Sequence, residues 1–260
     1  MVFDAVPAAK ALHRIRRDRL VVGPLPGEIA PRTTAEGAAV QRALAQLVGA
    51  MPPAGFKIGA TGKRMQEYLG IDTPIAGFMR AEDVYHGHAE LRFADFIKPA
   101  VECEVAVRLA RDLPPGPCSL EQALAAVGEF FAGAEIVENR YGDLKDLGTP
   151  ILLADQMYHC AAVISDGHEM DWRALDIDAL RGRISLDDGS ADEGVTSDLL
   201  GHPLNGLAWL AGSAEAAAFG GLKTGQVILL GSVTPPLWLS GAATVTISFP
   251  PLPGVTVRLG

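Results

Sequence analysis

Cysteine is scarce in this chain of 260 residues, where Cys103, Cys118 and Cys160 are the full complement. An odd number without metal-ligand spacing supports neither a disulfide framework nor a zinc knuckle, so a reducing compartment fits best. No run approaches the roughly 18 apolar residues that a bilayer crossing needs. The N-terminus carries Asp4 and an arginine-rich, helix-like stretch in place of a signal peptide's apolar centre, and the expected location is the cytoplasm, away from membranes. Positive charge is in deficit as well. A formal net charge of -9 excludes the cationic neutralisation of phosphates on which non-specific nucleic-acid binding rests. The basic cluster Lys10, Arg14, Arg16, Arg17 and Arg19 falls on the expected N-terminal helix and reads as a solvated face. A small acidic substrate stays compatible with the overall charge if a lysine or a bound metal supplies a local positive centre.

Several catalytic signatures are missing too. His86, His88, His159 and His168 form no HExxH pairing, and there is no GxSxG element, which argues against a zincin and an α/β-hydrolase. The TGK triplet is no phosphate loop: its first glycine would fall at Lys57, and Arg64 stands where Ser or Thr should follow Lys63.

What is present is the composition of a packed globular protein, 48% hydrophobic and 20% charged. A helix is expected over residues 2–20. A second begins at Thr33, which can form a capping box with Glu36, and Pro24, Pro26 and Pro31 separate the two. Gly55 to Gly59 reads as a strand, followed by a helix from about Gly62 to Leu69 stopped at Gly70. Ala89 to Leu109 reads as extended, with Pro99 at a strand start and Val101, Cys103, Val105 and Val107 alternating on one face. Ser119 and Gln122 cap a helix expected to reach about Phe131, with a further strand over Ala134 to Val137. One helix is expected from Pro203 to Gly220, then strands at Gln226 to Leu230, Ala243 to Phe249 and Val255 to Leu259. Strands interleaved irregularly with helices indicate an α+β or mixed β-rich core. The expected organisation is a single catalytic domain over 1–260, with a helical segment at 1–50 and the core at 51–260.

Glu102 and Glu104 are the most informative residues, because a spacing of two in a strand projects both carboxylates to one side. On an exposed face water screens them; in a cleft a bound cation is the natural compensation. Glu135 interrupts the apolar stretch from Phe130 to Val137 and either meets a partner there or ends a strand at solvent. Three carboxylates suit a hard, oxygen-preferring ion, Mg²⁺ or Mn²⁺ in preference to zinc. Lys57, between Phe56 and Ile58, either serves proton transfer and carboxylate binding or snorkels from a strand end. His202 either touches a ligand or hydrogen-bonds to backbone.

The same residues carry a family resemblance from about Gly55 onward. GFKIGATGKRMQEYLGIDTPIAGFM, KPAVECEVAVRLARDLP, AGAEIVENRYGD, LLGHPLNGLAWLA and KTGQVILLGS occur in an order that resembles the fumarylacetoacetate hydrolase superfamily, and within it the 2-keto-4-pentenoate hydratases and 4-oxalocrotonate decarboxylases. The resemblance implies an α+β fold with a mixed β-roll or sandwich core, peripheral helices and assembly into homo-oligomers. It implies metal binding (Mg²⁺ or Mn²⁺) by Glu102, Glu104 and Glu135, with Lys57 in the active site. Glu82 and Asp155 are further catalytic candidates. The implied activity is hydration of a 2-hydroxy-2,4-dienoate to a 4-hydroxy-2-oxo acid. The alternatives are decarboxylation of a 4-oxalocrotonate-like diacid, hydrolysis of an acylpyruvate, or a non-catalytic partner subunit in a complex with a related enzyme. The chain departs from the family pattern at Gln156, Met157, Tyr158 and His159, at Gln226, and around Thr234 to Trp238. Gln156, Tyr158, His159 and Thr234 are therefore the substrate-binding candidates.

Overall fold

The computed structural model describes residues 3–142, 147–167 and 171–260. His168 and Asp143, which figure in the sequence reading, lie outside them, as does Val2 at the start of the expected first helix. The chain opens with α1 (Val6–Arg17) and α2 (Thr34–Leu47), continues through β1 (Gly55–Gly59), α3 (Lys63–Leu69), β2 (Ile75–Met79), β3 (Val84–His86) and β4 (His88–Leu91), and reaches the long strand β5 (Pro99–Leu109). Next come α4 (Leu120–Ala126), β6 (Val127–Glu138), α5 (Gly148–Ala154), β7 (His159–Ile164), β8 (Arg181–Leu186) and β9 (Ala191–Val195). The last elements are α6 (Pro203–Ala211), α7 (Ala214–Ala218), β10 (Val227–Ser232), β11 (Leu237–Trp238), β12 (Ala243–Ser248) and β13 (Val255–Leu259).

Among the described residues, two sheets carry the architecture. One runs β2-β1-β10-β5-β6-β7-β3, with β11 added beside β5; the other runs β4-β13-β12-β8-β9. Three pairs are parallel, β1 with β10, β3 with β7 and β4 with β13. The larger sheet is apolar on one face: Phe56, Val101, Cys103, Val105, Phe130, Ile136 and Ile228 join Ile184, Val245 and Ile247 of the smaller sheet, and Phe249 just past it, in one buried cluster. That face fixes the strand register. A slip by one residue would drive Glu102 and Glu104 into the apolar layer, and burying unpaired carboxylates there is far costlier than the register it would replace. No helix among the described residues is long and apolar enough to cross a membrane.

The capping box of Thr33 and Glu36 opens α2, and Gly70, left-handed at φ 66, closes α3. Two expectations need correction. The helix capped by Ser119 and Gln122 stops at Ala126, and the chain continues as the long strand β6 where helix was expected as far as Phe131. The helix expected from Pro203 to Gly220 is two, because Ser213 leaves helical geometry and caps α7 by accepting from the Ala216 N–H.

Candidate active site

The polar face of the larger sheet builds the site. β5 and β6 pair antiparallel with Glu102 directly opposite Glu135 and Glu104 opposite Gly133, so the three carboxylates share one face. One ligand oxygen from each lies within 4.8 Å of the others. Glu104 and Glu135 are fully buried, while Glu102 stands partly open at the edge. Lys57, on β1, is 1% exposed and places Nζ 2.9 Å from Glu135 Oε1.

His159 reaches the same oxygen. The pairing of β6 with β7 shifts register between Ile136 and Val137, and this irregularity turns His159 toward Glu135. Its Nδ1 lies 2.9 Å from Glu135 Oε1, a contact that puts the ring proton on Nδ1 because a carboxylate oxygen can only accept. Glu104 Oε2 accepts from the Gly231 N–H at 2.9 Å. The other oxygens, Glu104 Oε1 and Glu135 Oε2, are buried and have no hydrogen-bond partner, as does His159 Nε2. Buried carboxyl oxygens left in this way call for a proton or a cation.

The electrostatics agree. Burial, reinforced by Glu135 and opposed by Lys57, pushes Glu102 up to about 8. Burial with Glu135 and Glu102 drives Glu104 well above the ordinary carboxylate range. Burial also opposes ionisation of Glu135, but Lys57 and His159 outweigh it and hold that carboxyl below its usual value. Burial would lower Lys57, yet Glu135, Glu102 and Glu104 together raise it, so the ammonium persists.

Other candidates sit elsewhere. Glu82 is exposed and paired with Arg80 at 2.7 Å, so the structure does not bring it to the glutamate cluster; a short surface turn of Ala81–Asp83 carries it outward. Asp155 is buried, and both its carboxylate oxygens are occupied: Oδ1 by Arg16 Nε at 2.7 Å, Oδ2 by Arg140 at 2.8 Å and the Tyr141 hydroxyl at 2.9 Å. Through these bonds it ties α1 to the segment at Arg140 and Tyr141, and none of the three glutamates is among its partners. Gln156 donates Nε2 to the Phe78 carbonyl at 2.7 Å, which commits its amide to the backbone. Tyr158 is buried against Tyr141, with its hydroxyl unpartnered. Thr234 is buried with Oγ1 unpartnered, two residues beyond Ser232, which pairs in register with Glu104. His202 Nδ1 accepts from the Leu204 N–H and caps α6.

Sequence reasoning misses three contributors. The Gly231 amide carries no side-chain signal. Arg16, read as part of a solvated face, points inward to Asp155. Glu138 and Arg140 form a buried pair at 2.9 Å. A hollow of about 550 Å³ lined by Lys10, Arg14, Leu20 and Pro24 contains none of the glutamates and belongs to the N-terminal segment.

The fumarylacetoacetate (FAA) hydrolase C-terminal family matches residues 40–259. The chain is 34% identical over 184 residues to 2-hydroxyhexa-2,4-dienoate hydratase of Comamonas testosteroni, covering 70% of this chain and 68% of that protein. It is 30% identical over 190 residues to 2-keto-4-pentenoate hydratase of Burkholderia vietnamiensis, covering 73% and 71%. Among solved structures, 4-oxalocrotonate decarboxylase from Pseudomonas putida G7, complexed with magnesium and adipate, superposes with a TM-score of 0.88 at 22% identity over 98% of this chain and 97% of that one. This last likeness establishes the fold.

Proposed function

The chain belongs to the fumarylacetoacetate hydrolase C-terminal family, and from that premise we propose that it is a divalent-metal-dependent hydratase, adding water to a 2-hydroxy-2,4-dienoate to give a 4-hydroxy-2-oxo acid. The observation that carries this reading is the convergence of Glu102, Glu104 and Glu135 within 4.8 Å, with buried oxygens of two of them unpartnered. That donor set fits a hard ion, Mg²⁺ or Mn²⁺. When bound there, the ion supplies a Lewis acid that draws electron density from the carboxylate and 2-oxygen of a chelated substrate.

The chain's own residues supply the rest. Lys57 keeps a proton on Nζ inside the cleft and stands beside Glu135 Oε1, where it can meet an anionic substrate and exchange a proton with it. His159 and Lys57 both donate to Oε1 of Glu135 and so leave Oε2 for the ion. Tyr158 and Thr234 keep unpartnered hydroxyls as candidate substrate contacts. The same reading takes residues 1–260 as one catalytic domain working as a cytoplasmic homo-oligomer, in keeping with the acidic charge and the unpaired cysteines.

The test is to supply purified protein with Mg²⁺ or Mn²⁺ and 2-hydroxypenta-2,4-dienoate or its six-carbon homologue, following loss of the dienol absorbance and identifying products by NMR. A 4-hydroxy-2-oxo acid is expected. Released CO₂ from a 4-oxalocrotonate-like diacid would mark a decarboxylase, and two acid fragments from an acylpyruvate a hydrolase. Absence of any metal-dependent turnover would leave the non-catalytic subunit.

A further inference from the structure

Resting on that reading of the site, we propose that Arg16 of α1 is a positioning residue: its guanidinium locks the 155–159 turn that sets His159 against Glu135 and Met157 beside Lys57.

The turn is unusual. Gln156, Met157 and Tyr158 have φ of 55, 45 and 67, three consecutive side-chain-bearing residues in the left-handed region. L-residues avoid that region because Cβ crowds the following carbonyl, so such a run persists only where its surroundings over-determine it. Arg16 grips both ends. Its Nε donates to Asp155 Oδ1 at 2.7 Å, one terminal nitrogen to the Asp155 carbonyl at 2.7 Å, and the other to the His159 carbonyl at 3.0 Å. One planar, permanently charged group thus fixes the first and last residues of the turn from a helix far away in sequence.

Between those ends the turn lies against the site. A Cβ on Gly59 would come 2.8 Å from Met157 Cγ and 3.3 Å from Lys57 Nζ, so Met157 and the ammonium border the same spot. A Cβ on Gly77 would come 2.6 Å from the Gln156 carbonyl oxygen, so the turn also rides directly on β2. His159, at the gripped end, carries the Nδ1 contact to Glu135. Arg16 itself touches none of the glutamates in the contacts above; it acts through His159 and Met157. Asp155 keeps Arg140 and Tyr141 when Arg16 is removed, so the change falls on the turn more than on the fold. The Arg16 side chain is 21% exposed, which lets a small guanidinium ion enter from solvent once the side chain is truncated.

The experiment compares the full-length chain with Arg16→Ala and Arg16→Lys in metal-loaded buffer. Displacement of catalytic groups by about an ångström costs on the order of a hundredfold in rate; Arg16→Ala is expected to lose about ten- to a hundredfold in kcat with KM nearly unchanged. Millimolar guanidinium should restore much of that loss. Arg16→Lys, which keeps the charge without the planar fork, should not. Amide hydrogen exchange should rise at residues 156–161 in Arg16→Ala while β5 and β6 stay protected. Unchanged kcat together with unchanged protection at 156–161 would overturn the proposal, as would a kcat loss with exchange raised throughout the chain and no guanidinium rescue. A wild-type chain without dienoate turnover would overturn the functional reading alone, because the exchange comparison still decides whether Arg16 locks the turn. Should Arg16→Ala fail to fold, Arg16→Gln, which retains two donors, takes its place in the same comparison.

Discussion

Lys57 and Glu135 form an ion pair with both partners out of water, and the two ends of that pair should differ in what their removal costs. Removing one partner of a buried pair typically costs about 3–5 kcal/mol. Lys57→Met in metal-free protein leaves ionised Glu135 buried without its ammonium, so the full range applies. At about 2–4 °C per kcal/mol for a chain of this size, the melting temperature should fall by roughly 6–20 °C. Glu135→Gln leaves Lys57 still attracted by Glu102 and Glu104, both of which help to hold it charged, and should cost less. The double variant should cost less than the two singles together, by about 1–3 kcal/mol of coupling. The sign of the pH dependence follows from the carboxylates. Glu102 and Glu104 are raised above their unfolded values, so the folded state binds more protons and gains stability as pH falls. The penalty of Lys57→Met should therefore be greatest above about pH 8 and shrink below it. Urea and thermal unfolding in chelator, run at several pH values, measure all of this. A Glu135→Gln penalty larger than that of Lys57→Met, or strictly additive single effects, would refute the reasoning.

Mn²⁺ at a hundred times its Kd should stabilise the chain by about 2.7 kcal/mol, roughly 5–11 °C in melting temperature, and Glu104→Gln should remove most of that gain in the same melts. Asp155→Asn should cost less than the roughly 3–5 kcal/mol of an unpaired buried charge, because Arg140 keeps Glu138 at 2.9 Å, as urea unfolding at neutral pH would measure. Burial opposes ionisation of Asp155, but Arg140 and Arg16 hold it below the ordinary value; its contribution is full above that value and fades as pH falls toward the folded one, so the Asn variant should show a shallower acid limb in unfolding below about pH 4. His159→Ala should lower turnover by about tenfold or more, and His159→Asn, which keeps a donor at a similar distance from the backbone, should lose less.

Much of the scaffold is legible in local chemistry. Thr33 with Glu36, Pro99 at the head of β5, and the three C-terminal strands follow from capping, ring geometry and alternation. The glutamate pair follows from the period of a strand, and Glu135 from a charge set in apolar surroundings. The failures have physical causes. Gly128 to Ala134 mixes small and aromatic residues that suit either a helix or a buried strand, and pairing with β5 decides the matter. The hairpin of β8 and β9 escapes a reading by apolar alternation although Asp188-Gly189 marks its turn, since its strands are largely polar. The surroundings of Asp155 are not legible in sequence, because its neighbourhood says nothing of Arg16, 139 positions away, or of the three left-handed residues that follow it.

The direct opposition of Glu102 and Glu135 across β5 and β6 also constrains how this chain can change over evolutionary time. Insertions and deletions in the exposed turn ahead of α4 leave the chelate untouched, and descendants can accumulate them there, outside Leu113, which bridges to Leu222, and α4, which packs on α6. Loss of one residue between the head of β5 and Glu104, or between Gly133 and the end of β6, rotates an acidic group to the opposite surface of the pleat and dismantles the chelate in a single event. Length variation among lineages that keep the activity should accordingly crowd into the exposed turn at residues 114–119 and spare both strands.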